Sequence, residues 1–405
     1  MSIIVQKFGG TSVGDTAKIL NAASRAVREM ERGHQVVVAV SAMAGETDRL
    51  LNLANEIDPA GSPRERDMLA ASGEQASIAL MAMACEKLGK PAISFLAPQI
   101  NMRTDEIHSK AKLLSIDDAK IRKELDAGKI VVVAGFQGVT GEWEITTLGR
   151  GGSDTTAVAL AAVLNAERCD IYTDVDGVYA TDPRIVPNVK KINELSYEEM
   201  LEMASTGAKV LHTRSVQFAA KYNVPLQVLS SFEDKPGTMI TQEVHTMENV
   251  VVSAVIHNTK EAKVTFSGIA DEPGMAAKLF SHLTQLNINV DMIVQNVGEN
   301  GRADISFTVE RTDLPYIKKN EAELREVINA KEITYGDKIA KISVVGVGMK
   351  AHAGVASRMF NILAAKGINI LMISTSEIKI SCVIDENYTE LAVRALCEEF
   401  DLVND

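Results

Sequence analysis

A mainly parallel, doubly wound α/β sheet followed by two small ferredoxin-like units is the architecture this sequence predicts, and three observations predict it. Apolar runs of strand length alternate with helical stretches up to about residue 240. Beyond that point the grammar changes, and two stretches repeat one another. Aromatic residues make up only 4% of the chain, so its cores must rest on Ala, Val, Ile, Leu and 16 Met, which suits α/β layers better than a β-sandwich.

The bulk composition excludes several classes of function. With 405 residues and 46% hydrophobic content, two or three domains with substantial cores are expected. A formal charge of −12 argues against a general nucleic-acid or membrane-surface role, since both partners are polyanions. No apolar run approaches the ~20 residues of a membrane span, and no basic start precedes an apolar signal core, so a cytoplasmic location is expected. Cys85, Cys169, Cys382 and Cys397 form no CxxC pair and the seven His lack metal-ligand spacing, so buried reduced thiols and no metal cage are expected.

Taken in order, Ile3 to Phe8 reads as a strand, followed by KFGGTSVG (Lys7 to Gly14) and a proline-free helical stretch, Asp15 to Glu31. Gly9 and Gly10 let a backbone approach an anion closely, and a strand, a Gly turn and a helix start together present free N–H groups. This differs from the P-loop GxxxxGK[ST], where the lysine follows the glycines. Val36 to Val40 is the next strand, and it runs into SAMAGETDRL, where Ser41, Gly45 and Thr47 cap a helix or touch a ligand. Asp67 to Leu88 reads as a long helix with Glu74 near its start, a place where glutamate ordinarily complements the dipole. Strands follow at Ala92 to Phe95 and Ile130 to Ala134.

The second strong signal is TTLGRGGSDTTAVALAAVL, Thr146 to Leu164. Every residue from Ala157 to Leu164 is apolar, which predicts a helix buried on all sides. Its start carries Arg150, Gly151, Gly152, Ser153 and Asp154. Ser153 or Asp154 can serve as N-cap, while Arg-Gly-Gly offers a cation and free N–H groups to a carboxylate or phosphate. The strand Asp170 to Thr173 leads into TDVDGVYATDPR. Its DxDG lacks the glutamate an EF-hand needs, so a nucleotide-lining loop fits better. An amphipathic stretch, Ser196 to Thr206, precedes a turn at Lys209, a helix from Thr213 to Tyr222, a strand from Leu226 to Leu229 and a turn at Pro236-Gly237. Lys7, Ser41, Gly135, Thr173 and Asp174 all fall at or near carboxyl ends of strands, where binding sites of such sheets gather, and so belong to one rim.

In the C-terminal part, Val264 to Asn296 and Ile342 to Ser376 both read strand, Gly-containing turn, helix, then INV or INI opening a second strand. The first copy continues through Ala303 to Val309, a helix around Leu314 to Ile328 and a fourth strand at Ile333 to Tyr335. The second has no room for a fourth strand. The unassigned strand Val250 to Ile256 would supply it, so that the first unit is inserted within the second. Gly346, Gly348 and Ala351 with Glu377 imitate a dinucleotide-binding fingerprint, but too little chain follows to complete that domain.

Taken together, KFGGTSVG, SAMAGETD (Ser41 to Asp48), SGE (Ser72 to Glu74), GRGGSDTTA (Gly149 to Ala157), TDVDGVYATDPR (Thr173 to Arg184) and the tandem repeat closely resemble the aspartokinase family. The resemblance implies an amino-acid-kinase catalytic domain over residues 1–245, a first ACT domain over 263–337 and a second over 246–262 plus 338–405. It implies transfer of the ATP γ-phosphoryl group to the β-carboxylate of L-aspartate, giving 4-phospho-L-aspartate, the first step toward lysine, threonine and methionine. A kinase of the same fold acting on another carboxylate, or a catalytically silent amino-acid sensor, are the alternatives.

By the same resemblance Lys7 stabilises the transferred phosphoryl, Gly9 and Gly10 donate N–H groups to it, and Asp154 orients the cations. Arg150 meets a substrate carboxylate and Glu74 the substrate ammonium, with Ser41, Thr47, Gly151, Gly152 and Ser153 adding hydrogen bonds. Thr173, Asp174, Tyr179, Asp182, Arg184 and Lys209 fall on the ATP side, with Mg²⁺ travelling with the nucleotide. Lysine and/or threonine are the implied effectors. Their candidate contacts are Asp271, Gly274, Met275, Ala276, Asp291 and Gln295 in the first unit, and Asn369, Ile370, Ser376 and Glu377 in the second. A homo-oligomer paired through the ACT units and an internal start at Met247 are further expectations.

Overall fold

The structure, a computed structural model, describes residues 1–404 apart from 209, 243–250, 299–300 and 353, with backbone alone at 350 and 351. Lys209 and Met247 therefore lie outside the described residues. The chain divides into two compact units. One comprises Met1–Val178, Lys191–Ser205 and Lys209–His245; the other comprises Tyr179–Lys190, Thr206–Ala208 and Thr246–Asp405.

The first unit runs β1 (Ile3–Phe8), α1 (Thr16–Glu31), β2 (Gln35–Val40), α2 (Glu46–Ile57), α3 (Pro63–Lys87), β3 (Ala92–Phe95), β4 (Arg103–Thr104), β5 (Leu113–Ser115) and α4 (Ala119–Asp126). It continues with β6 (Ile130–Ala134), β7 (Gln137–Val139), β8 (Ile145–Thr147), α5 (Gly152–Leu164) and β9 (Arg168–Thr173). After β10 (Val178–Tyr179) and β11 (Lys191–Ile192) come β12 (Glu194–Ser196), α6 (Tyr197–Thr206), α7 (Thr213–Tyr222), β13 (Leu226–Ser230) and β14 (Thr238–Thr241). Eight strands form one sheet in the order β12-β14-β13-β9-β1-β2-β6-β3. Its pairs along β13-β9-β1-β2-β6-β3 are parallel; β14 pairs antiparallel with β13 and parallel with β12, so these two edge strands run against the rest.

Val-rich β2 and β6 are buried along their length because helices cover both faces of the sheet, as a parallel sheet requires. On one face α1 and α3 bury Ala22, Ala23, Ala26, Ile78 and Met81 against Phe8, Val38 and Val132. Each large apolar side chain buried this way contributes about 1.5–3 kcal/mol. On the other face α5 packs against β1, β2 and β9. The register Lys7↔Ala39 and Lys7↔Ile171 brings the carboxyl ends of β1, β2 and β9 level. Ser41 N–H donates to Phe8 O at 3.1 Å and Gly135 N–H to Val40 O at 3.0 Å, extending that rim.

Five details differ from the sequence reading. The long helix begins at Pro63, a favoured first position, so Glu74 lies in its middle and complements no dipole. By length and composition α3 could cross a membrane, yet it packs on α1, β3 and β6 as a core helix of this unit. The helix α5 is not buried all round: Val163 is 36% exposed near its end. Its N-cap is Gly151 in the left-handed region (φ +69), with Ser153 and Asp154 already inside the first turn. A small sheet in the order β5-β4-β7-β8, built from strands of two or three residues, has no counterpart in the sequence reading.

The second unit contains β15 (Ala254–Asn258), β16 (Glu261–Ala270), α8 (Met275–Gln285), β17 (Val290–Val297), β18 (Arg302–Glu310), α9 (Leu314–Lys319), α10 (Glu321–Ile328) and β19 (Glu332–Gly336). β20 (Ile339–Val345), α11 (Val355–Ala365), β21 (Met372–Thr375), β22 (Lys379–Asp385) and α12 (Thr389–Glu399) complete it. The two four-stranded antiparallel sheets have equivalent orders, β17-β18-β16-β19 and β21-β22-β20-β15. β15, from ahead of the first repeat, thus stands where β19 stands in the other sheet. Gly274 and Gly354, both in the left-handed region (φ +96 and +104), begin the equivalent helices α8 and α11. A buried cluster of Met292, Ile339, Met372 and Val383 joins β17 to the second sheet.

Candidate active site

On the rim, Lys7 near the end of β1 reaches across to α5, where its Nζ lies 2.6 Å from Asp154 Oδ1. Both side chains are about nine-tenths shielded, at 12% and 13% exposed. The contact is a close ion pair whose geometry is off the line of a well-aligned hydrogen bond. After β1 the chain makes a single 3₁₀ turn, Gly10–Val13, before α1 starts with Asp15 as its N-cap, accepting from Lys18 N–H at 2.8 Å. A Cβ on Gly9 would stand 3.1 Å from Lys7 Nζ, and one on Gly10 would stand 2.9 Å from Ala42 O. The lysine therefore lies over the glycine turn, which is itself pressed against the turn after β2. That close approach is why side chains are excluded there.

Glu74 reaches the same rim from α3. It is 2% exposed, accepts from Ala42 N–H at 3.1 Å through Oε1, and keeps Oε2 buried with no hydrogen-bond partner. Burial pushes its carboxyl up to about 7, against the smaller opposing effect of the Ala42 hydrogen bond. Such an orphaned acceptor suits an incoming ammonium. Ser41 and Thr47 are half-buried, on the turn after β2 and at the start of α2. Ser153 is buried where it meets Gly135, and Arg150 is exposed just ahead of Gly151 and Gly152. No side chain caps α5; its first N–H, that of Gly152, donates to Gly149 O at 2.9 Å, and those of Ser153 and Asp154 stay open beside a cation.

The predicted nucleotide residues are not all in one unit. Thr173 ends β9, donating to Asp174 Oδ1 at 3.1 Å and accepting from Ser231 N–H at 2.8 Å. Tyr179, Asp182 and Arg184 belong to the second unit, where Arg184 Nη2 pairs with Asp182 Oδ2 at 2.6 Å. The segment Tyr179–Lys190 is tied to that unit by Val255 N–H to Ala180 O at 2.7 Å, Lys190 N–H to Leu402 O at 2.8 Å and Arg394 Nε to Ile185 O at 3.1 Å.

Of the effector candidates, Asp271, Gly274, Met275 and Ala276 occupy the turn into α8, with the first two exposed. Asp291 and Gln295 lie exposed on β17, and Asn369, Ser376 and Glu377 lie exposed around β21, with Ile370 half-buried. The edge strands β17 and β21 are in contact. Asp291 is also paired with Lys341, whose ammonium reaches Glu261 as well. Sequence reasoning missed Lys341. It missed Asp67 and Arg214 too, which bond to the strand end leading into Arg150, although Asp67 shares a face of α3 with Glu74 seven residues on.

An amino acid kinase family model matches residues 2–230, and an ACT domain model matches residues 264–315 and 342–400. The chain is 54% identical over 408 residues to an aspartokinase of Pseudomonas aeruginosa, covering 99% of this chain and 98% of that one. The chain belongs to the aspartokinase family. An aspartokinase of Geobacillus stearothermophilus is 49% identical, with 100% and 98% covered. Among solved structures, E. coli aspartokinase III in complex with aspartate and ADP aligns at a TM-score of 0.81 and 26% identity, over 98% of this aspartokinase and 99% of that chain. The same enzyme in complex with lysine and aspartate aligns at 0.78 and 27% identity, over 99% and 100%. This aspartokinase is accordingly a nucleotide-using aspartate kinase with an ACT-containing C-terminal region.

Proposed function

We propose that the Lys7–Asp154 pair carries transfer of the ATP γ-phosphoryl group to the β-carboxylate of L-aspartate, giving 4-phospho-L-aspartate. The supporting observation is the 2.6 Å ion pair on the rim, directly over Gly9. Phosphoryl transfer needs alignment and charge neutralisation more than covalent help. The ammonium of Lys7 neutralises charge on the transferring oxygens while Gly9 and Gly10 offer N–H groups. Asp154 holds that ammonium in place. It abstracts no proton, because the β-carboxylate is already ionised at pH 7.

Glu74 takes the substrate ammonium and Arg150 a substrate carboxylate, which selects a zwitterion. Ser41, Thr47, Ser153 and the backbone at Gly151 and Gly152 supply the remaining hydrogen bonds. Thr173, Asp174, Tyr179, Asp182, Arg184 and Lys209 serve the nucleotide. Mg²⁺ accompanies it, held mostly by phosphate oxygens and water.

The two antiparallel sheets fit a pair of ACT domains, 263–337 and 246–262 plus 338–405, with the catalytic domain over 1–245. Lysine and/or threonine bind there through the residues of the α8 turn, β17 and the β21 flanks, and ACT units of separate copies pair into a homo-oligomer. E. coli aspartokinase III, solved with lysine and aspartate, is the supporting relative. The acidic, CxxC-free composition supports a cytoplasmic setting, and the first step of lysine, threonine and methionine synthesis is the matching metabolic place.

The test is ADP release and hydroxamate-trapped acyl phosphate with aspartate, glutamate and N-acetylglutamate, repeated with lysine, threonine and both. Aspartate-dependent product that either effector suppresses is the expected result. Product from another acid but not from aspartate overturns the substrate assignment.

A further inference from the structure

Asp67 lies on α3 seven residues before Glu74, two turns away on the same face. It is 2% exposed, and hydrogen bonds from three residues converge on its carboxylate. Oδ2 accepts from Ser109 N–H at 2.9 Å and Thr147 N–H at 3.0 Å, and lies 3.0 Å from His108 Nδ1. Oδ1 accepts from the Thr147 hydroxyl at 2.7 Å and the Ser109 hydroxyl at 3.3 Å. A carboxylate buried this way needs several donors to remain charged. These donors all come from two places, the end of β8 and the loop around residues 108–111.

A second clamp closes on the same two segments from α7. Arg214 donates through Nη1 to Leu148 O at 2.7 Å and through Nη2 to Ala111 O at 2.8 Å. Ala111 N–H in turn donates to Thr147 O at 3.0 Å. Gly149 follows in the left-handed region (φ +75), where a Cβ would meet Ser109 O at 3.0 Å, and its carbonyl accepts from Gly152 N–H at 2.9 Å. Residues 147, 148 and 149 are thus each fastened immediately ahead of Arg150, by side chains from two different helices and by the loop they share.

We propose that Asp67 and Arg214 are positioning residues for the aspartate site. They fix the backbone that presents Arg150 while the same α3 face presents Glu74, so one rigid frame sets the spacing between the groups that take the carboxylate and the ammonium. The inference rests on the assignment of Arg150 and Glu74 to the substrate. Neither Asp67 nor Arg214 touches the reacting atoms. A replacement at either position loosens Arg150 and leaves the Lys7–Asp154 pair standing.

The test is steady-state kinetics of the full chain with Asp67→Asn, Arg214→Lys, Arg150→Gln and the double variant Asp67→Asn/Arg150→Gln. Asparagine can no longer accept from donors on both oxygens, and lysine can reach one of the two carbonyls but not both. Each positioning variant is expected to raise KM for aspartate by roughly ten- to a hundredfold with KM for ATP changed less than about twofold. In the Arg150→Gln background, Asp67→Asn is expected to add less than about twofold, because its route is already cut. Both KM values rising together, or a full additive effect on top of Arg150→Gln, overturns the proposal. Arg150→Gln with an unchanged KM for aspartate instead overturns the assignment of Arg150 itself. If Asp67→Asn does not fold, Arg214→Lys alone decides by the same split.

Discussion

Lys7 Nζ and Asp154 Oδ1 stand 2.6 Å apart, one near the end of the central strand β1 and the other in the first turn of the helix crossing behind it. Their coupling predicts non-additive kinetics. Lys7→Ala is expected to lower kcat by about 10²–10³-fold or more, the scale of losing one transition-state donor. Asp154→Asn should also lower kcat, and the double variant should be little worse than Lys7→Ala. Lys7→Ala activity within about threefold of the parent, read by ADP release, would remove Lys7 from the mechanism.

Glu74 gives a pH prediction with a definite sign. In the free enzyme its carboxyl is held at about 7 by burial, so below that pH it is neutral and cannot meet an ammonium. The ratio kcat/KM for aspartate should therefore rise through pH 7 and level off above it, and Glu74→Gln should lose that step along with affinity. Folding stability runs the other way. Between the ordinary value of 4.5 and about 7 the folded state holds the proton that the unfolded state has released, so stability falls as pH rises across that window. Glu74→Gln should match the parent near pH 4 and exceed it at pH 8 by roughly 3 kcal/mol in denaturant titrations.

Asp291 and Glu261 share the ammonium of Lys341, with Lys341 buried and Asp291 half-exposed. Asp291→Ala leaves Lys341 paired with Glu261, so the variant should fold and keep basal turnover while its inhibition curves with lysine and threonine move to higher concentration. Unchanged curves would remove Asp291 from the effector contacts. Lys341→Met should behave differently, since it strands a buried Glu261 carboxylate. A loss on the order of 3–5 kcal/mol is expected for breaking such a pair, measured as a lower denaturation midpoint.

All four cysteines are buried, and burial pushes the thiols of Cys85, Cys382 and Cys397 up to about 12, and Cys169 well above its ordinary value. Thiolate is the reactive form. Native protein at pH 8 should therefore resist iodoacetamide while denatured protein takes up four equivalents by mass. Rapid alkylation of the native enzyme would contradict this burial.

Although β12 and β14, short and part polar, were not read as strands, the other six of the eight strands of the main sheet were legible because each is a short apolar run between helical stretches. The residues at their carboxyl ends followed from topology alone. The partners of Asp67 were not, since His108 and Thr147 lie 41 and 80 positions away and no local pattern announces them. Arg214 reads as an ordinary helix-surface arginine until its carbonyl partners at 111 and 148 are seen. The two-residue strand β4 carries no periodicity to detect, and Pro63 was not recognised as the start of α3. The segment after β9 reads as a nucleotide loop by composition, whereas its hydrogen bonds to Val255, Leu402 and Arg394 decide which unit it folds with.

β15 and β20 pair along Ala254↔Val345 to Asn258↔Lys341, and the whole of β16 to β19 lies between them in the chain. On the ribosome these pairings close like nested brackets. The inner sheet has all four of its strands before the outer sheet can receive its second. At ~5–20 residues per second, β15 waits on the order of ten seconds for its neighbour to emerge. During synthesis its backbone donors and acceptors form an open edge, so nascent chains halted in that interval are the ones expected to recruit holdase chaperones.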